Sequence, residues 1–344
     1  MEPQFGQPSA DSGTPQIRSS ERRDRSAKRS LRRLKPYAPF FALIALSLVV
    51  GTLNPRFFEF NNLIRIANSA AIPLVLALGM TFIIVLGSID LSVEGVLAIG
   101  AVLISLLVRN NGNASNLGWF GVVLAILACG AIGCLNGIIH VGLRIPSFMV
   151  TLGMWFIGVG VATLVLGGST VRVLDQGIRS IALERFLNFP IAVWVALGAL
   201  GITWVIERQT RIGRYIYAIG GGEDLAALSG IPVRQVKIIV FTIAGTLFGL
   251  GGLLAAAQLG QGNALIGSGR LFSTVTAVVV GGTALTGGEG GVLNPLVGVL
   301  IMAVLGNGMV LLGISPDLQQ GVQGVLIIVA VALSLDRTRL KIVK

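Results

Sequence analysis

The sequence predicts an all-α, polytopic membrane protein of about ten transmembrane helices, some of them broken, with N-terminus and C-terminus both inside the cell. Three observations carry this reading. The chain of 344 residues is 53% hydrophobic and only 12% charged, whereas a soluble domain carries about a quarter charged residues, so lipid is the solvent for most of it. Apolar runs lie at about 37–53, 63–86, 91–108, 119–140, 147–168, 190–206, 238–258, 271–285, 292–313 and 318–335, near the ~20 residues that a span needs. Lys and Arg are retained on the cytoplasmic side, and with the N-terminus inside, nineteen of the 26 fall inside and seven outside.

Most of that orientation signal comes from the first segment. Nine basic residues, from Arg18 to Lys35, lie within the first 35 positions. Residues 1–36 are Ser/Arg-rich and too poor in apolar groups to offset the entropy of folding, which predicts a disordered cytoplasmic tail. A cleavable signal peptide would need a shorter basic region and a shorter apolar core. The net charge of +11 does not imply nucleic acid, because beyond the tail there is no basic stripe. Residues 37–336 then form the membrane domain, and 337–344 a short basic cytoplasmic end.

The second and third spans are separated by the segment Gly87–Gly95, and similar Gly-rich interruptions fall at Gly260–Gly269 and Gly281–Gly291. Irregular backbone is tolerated at membrane depth only when buried in protein or lining a water-filled path, so the breaks predict a transporter or channel. Residues 85–95 (VLGSIDLSVEG) and 280–290 (VGGTALTGGEG) echo each other at an offset of 195. The echo has two explanations, chance matching of small residues or an internal structural repeat with discontinuous helices.

Within the first break, Asp90 and Glu94 are spaced to share one helical face. An ionised carboxylate in lipid must face a cavity, a partner or the interface. Either Ser88, Asp90, Ser92 and Glu94 line a polar path, or Asp90 caps the third span with Glu94 in its first turn. Asn136, Gln258 and Asn263 have two roles open to them, bonding a hydroxylated solute or cross-linking helices.

The fourth span carries Gly133-x-x-x-Gly137 and the seventh Gly245-x-x-x-Gly249, spacings that let helix backbones approach closely. Cys129 and Cys134 fit neither a metal pair nor a redox CxxC, and the single histidine, His140, has no ligand cluster around it. No metal site is predicted and no cofactor is expected on this chain. No catalytic constellation marks an enzyme.

Between the sixth and seventh spans, 207–237 forms the longest inside segment after the tail. Glu223, Asp224, Leu225, Ala226, Ala227, Leu228 and Ser229, followed by Gly230 and Pro232, read as a short helix with acids at its start and a glycine at its end. Small and Ala-rich, it suits the groove of another protein. Gly220–Gly222 is no phosphate cradle, since no Gly-Lys-Ser/Thr follows. ATP, if it drives this protein, is bound by another chain.

The strings LNPRFFEFNNL (53–63), ALGMTFIIVLGSIDLSVEGVLA (77–98), TRIGRYIYAIGGGEDLAALSGIPV (210–233) and AVVVGGTALTGGEGG (277–291) resemble the ribose/xylose-type branch of bacterial ABC sugar-importer permeases, from about residue 40 to the C-terminus. The resemblance implies two permease subunits, identical or not, two ATP-binding subunits on the cytoplasmic face and a periplasmic solute-binding protein, in the bacterial inner membrane. It also implies that the loop with Gly213, Arg214, Glu223, Asp224, Ala226, Ala227, Ser229 and Gly230 docks into the ATPase. Two departures stand out. The family pattern Gly-Gly-Ile-Asp-Leu-Ser-Val-Gly here has Ser88 for its second Gly and Glu94 for its last, and a Glu-Leu-Asp triplet is replaced by Leu271, Phe272 and Ser273. A monosaccharide or related polyol is the implied solute, with Ser88, Asp90, Ser92, Glu94, Asn136 and Gln258 as candidate path residues. An ion-coupled secondary transporter using Asp90 and Glu94 is the alternative.

Overall fold

The computed structural model describes residues 37–334 of the chain; the basic tail and the basic C-terminal end lie outside them. In chain order the helices are α1 (Ala38–Leu53), α2 (Phe60–Val85), α3 (Val93–Leu107), α4 (Gly118–Leu143), α5 (Ser147–Leu166), α6 (Gln176–Leu183), α7 (Ile191–Gln209), α8 (Arg211–Gly221), α9 (Glu223–Leu228), α10 (Val233–Leu259), α11 (Arg270–Val280), α12 (Asn294–Leu311) and α13 (Pro316–Ser334). Each expected apolar run coincides with one of these helices. Among the described residues, however, only α2, α4, α5, α7, α10 and α12 are long and apolar enough to cross a membrane.

The shorter helices have a physical reason. α3 has 15 residues and α11 has 11, about 22 and 16 Å of helix against a hydrocarbon core of ~30 Å. The run at 271–285 does not continue as helix, because Gly281 and Gly282 end it after Val280.

α2 and α10 form the centre. The most apolar window of α2 is 83% buried, with Val75, Leu76, Ala77, Leu78 and Met80 fully enclosed. Around these two pack α3, α4, α7, α11 and α12. The two small-residue motifs face each other across α4 and α10: a Cβ on Gly133 would stand 2.2 Å from the Phe241 carbonyl oxygen, and one on Gly245 would stand 2.5 Å from the Cys129 carbonyl oxygen. Both motifs are therefore packing devices. Gly245→Val is expected to destabilise the helix pair by about 1–3 kcal/mol through overpacking. Gly198→Ala on α7, where a methyl meets open space, should leave the thermal midpoint in detergent unchanged. Equal midpoints for the two variants would refute the close approach.

Polar clasps add to this packing. Asn62 of α2 and Asn307 of α12 exchange reciprocal side-chain hydrogen bonds of 2.9 Å, a pair that apolar periodicity does not reveal. His140 bonds the Ile145 carbonyl at 2.6 Å, where Arg144 turns the chain in a left-handed conformation. Cys129 and Cys134 are free thiols.

At one end of the bundle the connections form small β elements. β1 (Val171–Arg172) pairs antiparallel with β4 (Gln261–Gly262), and β2 (Arg185–Phe186) pairs with β3 (Phe189–Pro190) through a tight turn. Leu187 and Asn188 both have positive φ there, as a two-residue hairpin turn of this twist requires. α8 and α9 lie at the opposite end.

Candidate functional site

α2 and α11 end in the same way. In each, the first residue after the helix keeps helical angles and the second is a glycine of positive φ, Gly87 at +85° and Gly282 at +103°. Ser88 N–H then bonds the Ile83 carbonyl at 3.0 Å, and Thr283 N–H bonds the Val278 carbonyl at 3.2 Å. Every one of these pairs keeps the offset of 195, so the echo in sequence is an echo in backbone structure up to the helix cap. Beyond it the halves diverge: α3 starts five residues after Ser88, whereas α12 starts eleven after Thr283.

The polar side chains of the first break are buried, whereas Ile89 is exposed, and two of the break's backbone N–H groups are satisfied by side chains of α5. Ile89 N–H donates to Ser147 Oγ at 3.0 Å and Leu91 N–H to Thr151 Oγ1 at 2.9 Å, meeting the demand that membrane-depth backbone be paired. Asp90 does not cap α3 from the N-cap position, which Ser92 occupies. Its Oδ1 instead accepts from Ser92 N–H at 2.7 Å and Ser92 Oγ–H at 2.6 Å, while Asn136 of α4 donates to Ser92 Oγ at 3.1 Å. Ser88, Asp90, Ser92, Glu94 and Asn136 are all buried. Gln258 is exposed near the end of α10 and does not join them. Asn263 shapes its own loop by accepting from Leu265 N–H at 2.9 Å.

Glu94 caps a helix other than its own. Its Oε1 accepts from Leu271 N–H at 2.9 Å, in the first turn of α11, whose N-cap Gly269 has no side chain to offer. A carboxylate at a helix N-terminus meets both free N–H groups and the positive dipole end. Leu271 is the first of the three positions at which the resembled pattern carries Glu-Leu-Asp, so the acid gained in the first half sits on the backbone where the second half lost one. The closeness requires glycine: a Cβ on Gly267 would stand 2.5 Å from the Glu94 carbonyl oxygen, and one on Gly95 would stand 2.7 Å from that of Trp155.

The two breaks and the α8 segment meet backbone to backbone. Gly288 N–H donates to the Val85 carbonyl at 2.8 Å. A Cβ on Gly220 would stand 1.9 Å from that same oxygen, and one on Gly287 would stand 2.9 Å from Gly87 Cα. Next to this junction, Tyr217 of α8 donates its hydroxyl to the Glu207 carboxylate and lies 3.0 Å from the Gly290 carbonyl oxygen. Val292 N–H points at both Glu207 oxygens at 3.4 Å. Burial, reinforced by the Glu207 hydrogen bond and charge, holds the Tyr217 phenol above its ordinary pKa, so it stays a proton donor at neutral pH. Neither Glu207 nor Tyr217 stands out in the sequence; one reads as the end of an apolar span and the other as an amphipathic loop aromatic.

Of the loop residues singled out by sequence, Gly213 is buried under the Glu207 carbonyl and Arg214 is exposed. α9 runs Glu223–Leu228, with Ser229 as its C-cap and Gly230 at φ +80°, one residue shorter than expected. Glu223, itself exposed, pairs at 2.7 Å with Lys237, which is largely covered. Asp224 and Ala227 face outward, but Ala226 is turned in. The large apolar side chains on the free face are Leu225 and Leu228, 71% and 85% exposed.

A helical bundle with two echoed breaks, buried polar groups at one of them and a loop helix packed against both defines a multi-pass membrane transport protein. Residues 62–331 match the family described as branched-chain amino acid transport system / permease component, and the chain belongs to that family. It is 37% identical over 298 residues to the ribose import permease of Escherichia coli K12, covering 84% of this chain and 90% of that one. The ribose import permease of Bacillus subtilis 168 is 32% identical over 302 residues, 87% of this chain and 92% of its own. The galactose/methyl galactoside import permease of E. coli K12 is 30% identical over 318 residues, with 87% and 94% covered. No solved structure matches the chain. The chain is thus a permease component of the inner membrane, a transport subunit and not an enzyme.

Proposed function

We propose that this chain is the membrane-spanning subunit of an ATP-driven importer that moves a monosaccharide or related polyol into the bacterial cell. Ten membrane-inserted segments, counting the half-length α11, run with N-terminus and C-terminus inside. Two ATP-binding subunits take the α8–α9 face, a second permease subunit completes the path and a periplasmic binding protein delivers solute. The import of sugars by its relatives, as their names give it, supports the solute class.

One observation carries the mechanism: the backbone of Gly220 and Gly221 is wedged against Val85 and Gly288, so α8 touches both broken helices at once. Closure of the ATPases moves α9 through its exposed Leu225 and Leu228. α8 passes that displacement to both breaks, and the halves rock to alternate access. Ser88, Asp90, Ser92, Glu94 and Asn136 supply the polar side of the path; Gln258 stands apart at the end of α10.

Leu228→Asp places a charge in the docking surface, and truncating or charging a central apolar anchor costs about 2 kcal/mol or more of binding. Copurification of the ATP-binding subunit and solute-stimulated ATP hydrolysis are both expected to fall at least tenfold, with membrane insertion intact. In cells, ATP depletion at constant ion gradients should stop uptake. Uptake that survives depletion and follows the ion gradient would favour the ion-coupled transporter instead.

A further inference from the structure

We infer that the pocket between α3, α5 and the loop before α11 is a sugar-contact site within the permease itself, with Glu94 accepting a sugar hydroxyl and Trp155 and Phe156 covering the sugar's C–H face. This rests on the proposed sugar-import function and assigns part of the selectivity to this chain.

The pocket has a volume of about 140 Å³ and is lined by Glu94, Trp155, Phe156, Ala264 and Ser268, among others. Its composition is that of a small-molecule site, mostly apolar with a few placed polar groups. Glu94 is 6% exposed, and that remaining exposure opens on the pocket. One carboxylate oxygen is committed to Leu271 N–H; the other has no donor among the described residues. Glu94 lines the pocket, and a sugar hydroxyl that reached its uncommitted oxygen would give a charge-assisted bond.

The apolar wall has the matching chemistry. Trp155 and Phe156 are stacked at 5.3 Å between centroids and 19° between planes, presenting aromatic surface beside the carboxylate. Their position is fixed by backbone contact, since Gly158 and Gly95 lie too close for any Cβ between them. Aromatic surface and a carboxylate also suit an organic cation, but Arg270, the residue before the Leu271 that bonds Glu94, already brings a cationic residue to this end of α11. A neutral, polyhydroxylated ring is therefore the better occupant. The 263–269 loop that closes the pocket is irregular backbone at the broken helix, and such backbone is found where it lines a cavity.

Glu94→Gln separates this role from capping, because glutamine keeps an oxygen for Leu271 N–H while presenting a neutral amide to the pocket. Trp155→Leu is the independent second variant. In proteoliposomes holding the assembled importer, labelled sugar taken up per ATP hydrolysed is expected to fall about tenfold in each variant, through the lost charge-assisted bond in Glu94→Gln and through the lost aromatic face in Trp155→Leu. The order of preference among several sugars should also change. Wild-type stoichiometry and preference in both variants would overturn the inference, as would parallel losses of uptake and hydrolysis at an unchanged ratio, which mark a structural role. Competition by excess leucine but by no sugar would point to an amino-acid site and overturn it too. A wild-type complex that imports no sugar at all would instead remove the functional reading beneath it.

Discussion

Replacing Gly220 by valine is expected to abolish solute uptake while the protein still inserts in the membrane. A Cβ at this position would stand 1.9 Å from the Val85 carbonyl oxygen and 2.5 Å from Gly288 N, and neither is the end of a flexible side chain. To reach an ordinary contact of about 3.4 Å, α8 must withdraw by roughly 1.5 Å, which opens the junction through which it touches both breaks. Uptake should drop at least tenfold, and ATP hydrolysis should lose its response to solute. Gly221→Ala is the internal control, since nothing lies within 4 Å of its Cβ. Wild-type uptake by Gly220→Val would show that the working protein does not use this junction.

Glu207→Ala is expected to be the most damaging single change outside the glycine junction. Glu207 is 8% exposed and receives the Tyr217 hydroxyl and Val292 N–H. Removing it leaves Val292 N–H without its acceptor, at a cost of about 1–3 kcal/mol, and leaves the Tyr217 hydroxyl with the Gly290 carbonyl alone. Tyr217→Phe removes one donor only and should cost less. The two together form a double-mutant cycle, and a coupling of about 1–2 kcal/mol in thermal or denaturant unfolding would identify a direct bond. Additive effects would mean that the two groups act separately. Because the phenol stays protonated well above neutrality, the coupling should not change between pH 6 and pH 9.

Several features were legible in the residues themselves. Apolar runs located the helices, and the Gly-rich strings located the breaks, because backbone with positive φ demands glycine. The α9 helix was readable from its acids, its small residues and Gly230. The family was readable from four strings that together resemble such permeases. The loop acids, by contrast, gave no hint that Ala226 turns inward and that Leu225 and Leu228 form the free surface, since six residues are too few for a reliable periodicity.

The candidate site was legible in part. Asp90, Ser92 and Asn136 were identified one by one as polar groups in an apolar chain, yet their hydrogen-bonded chain joins two helices. The partners that complete the site came from elsewhere: Ser147 and Thr151 on α5, Leu271 on α11, Trp155 and Phe156 beside Glu94. None of these residue types is unusual in an apolar span. Glu207 and Tyr217 were missed for the same reason.

What the sequence by itself determined is the solvent, the helices and where they break, for these follow from side-chain polarity and backbone freedom taken locally. The 12% charge excluded a soluble protein and the glycines marked the interruptions. Only the tertiary structure decided that the two breaks close on each other and on α8, that Gly133 faces Gly245, and that Glu94 caps a helix 177 positions away. Such contacts depend on which helix faces meet, and a hydropathy pattern that is nearly uniform around most of the long spanning helices leaves those faces unspecified. Glycine, hydrogen bonds and close packing make that choice, and they act only once the bundle has formed.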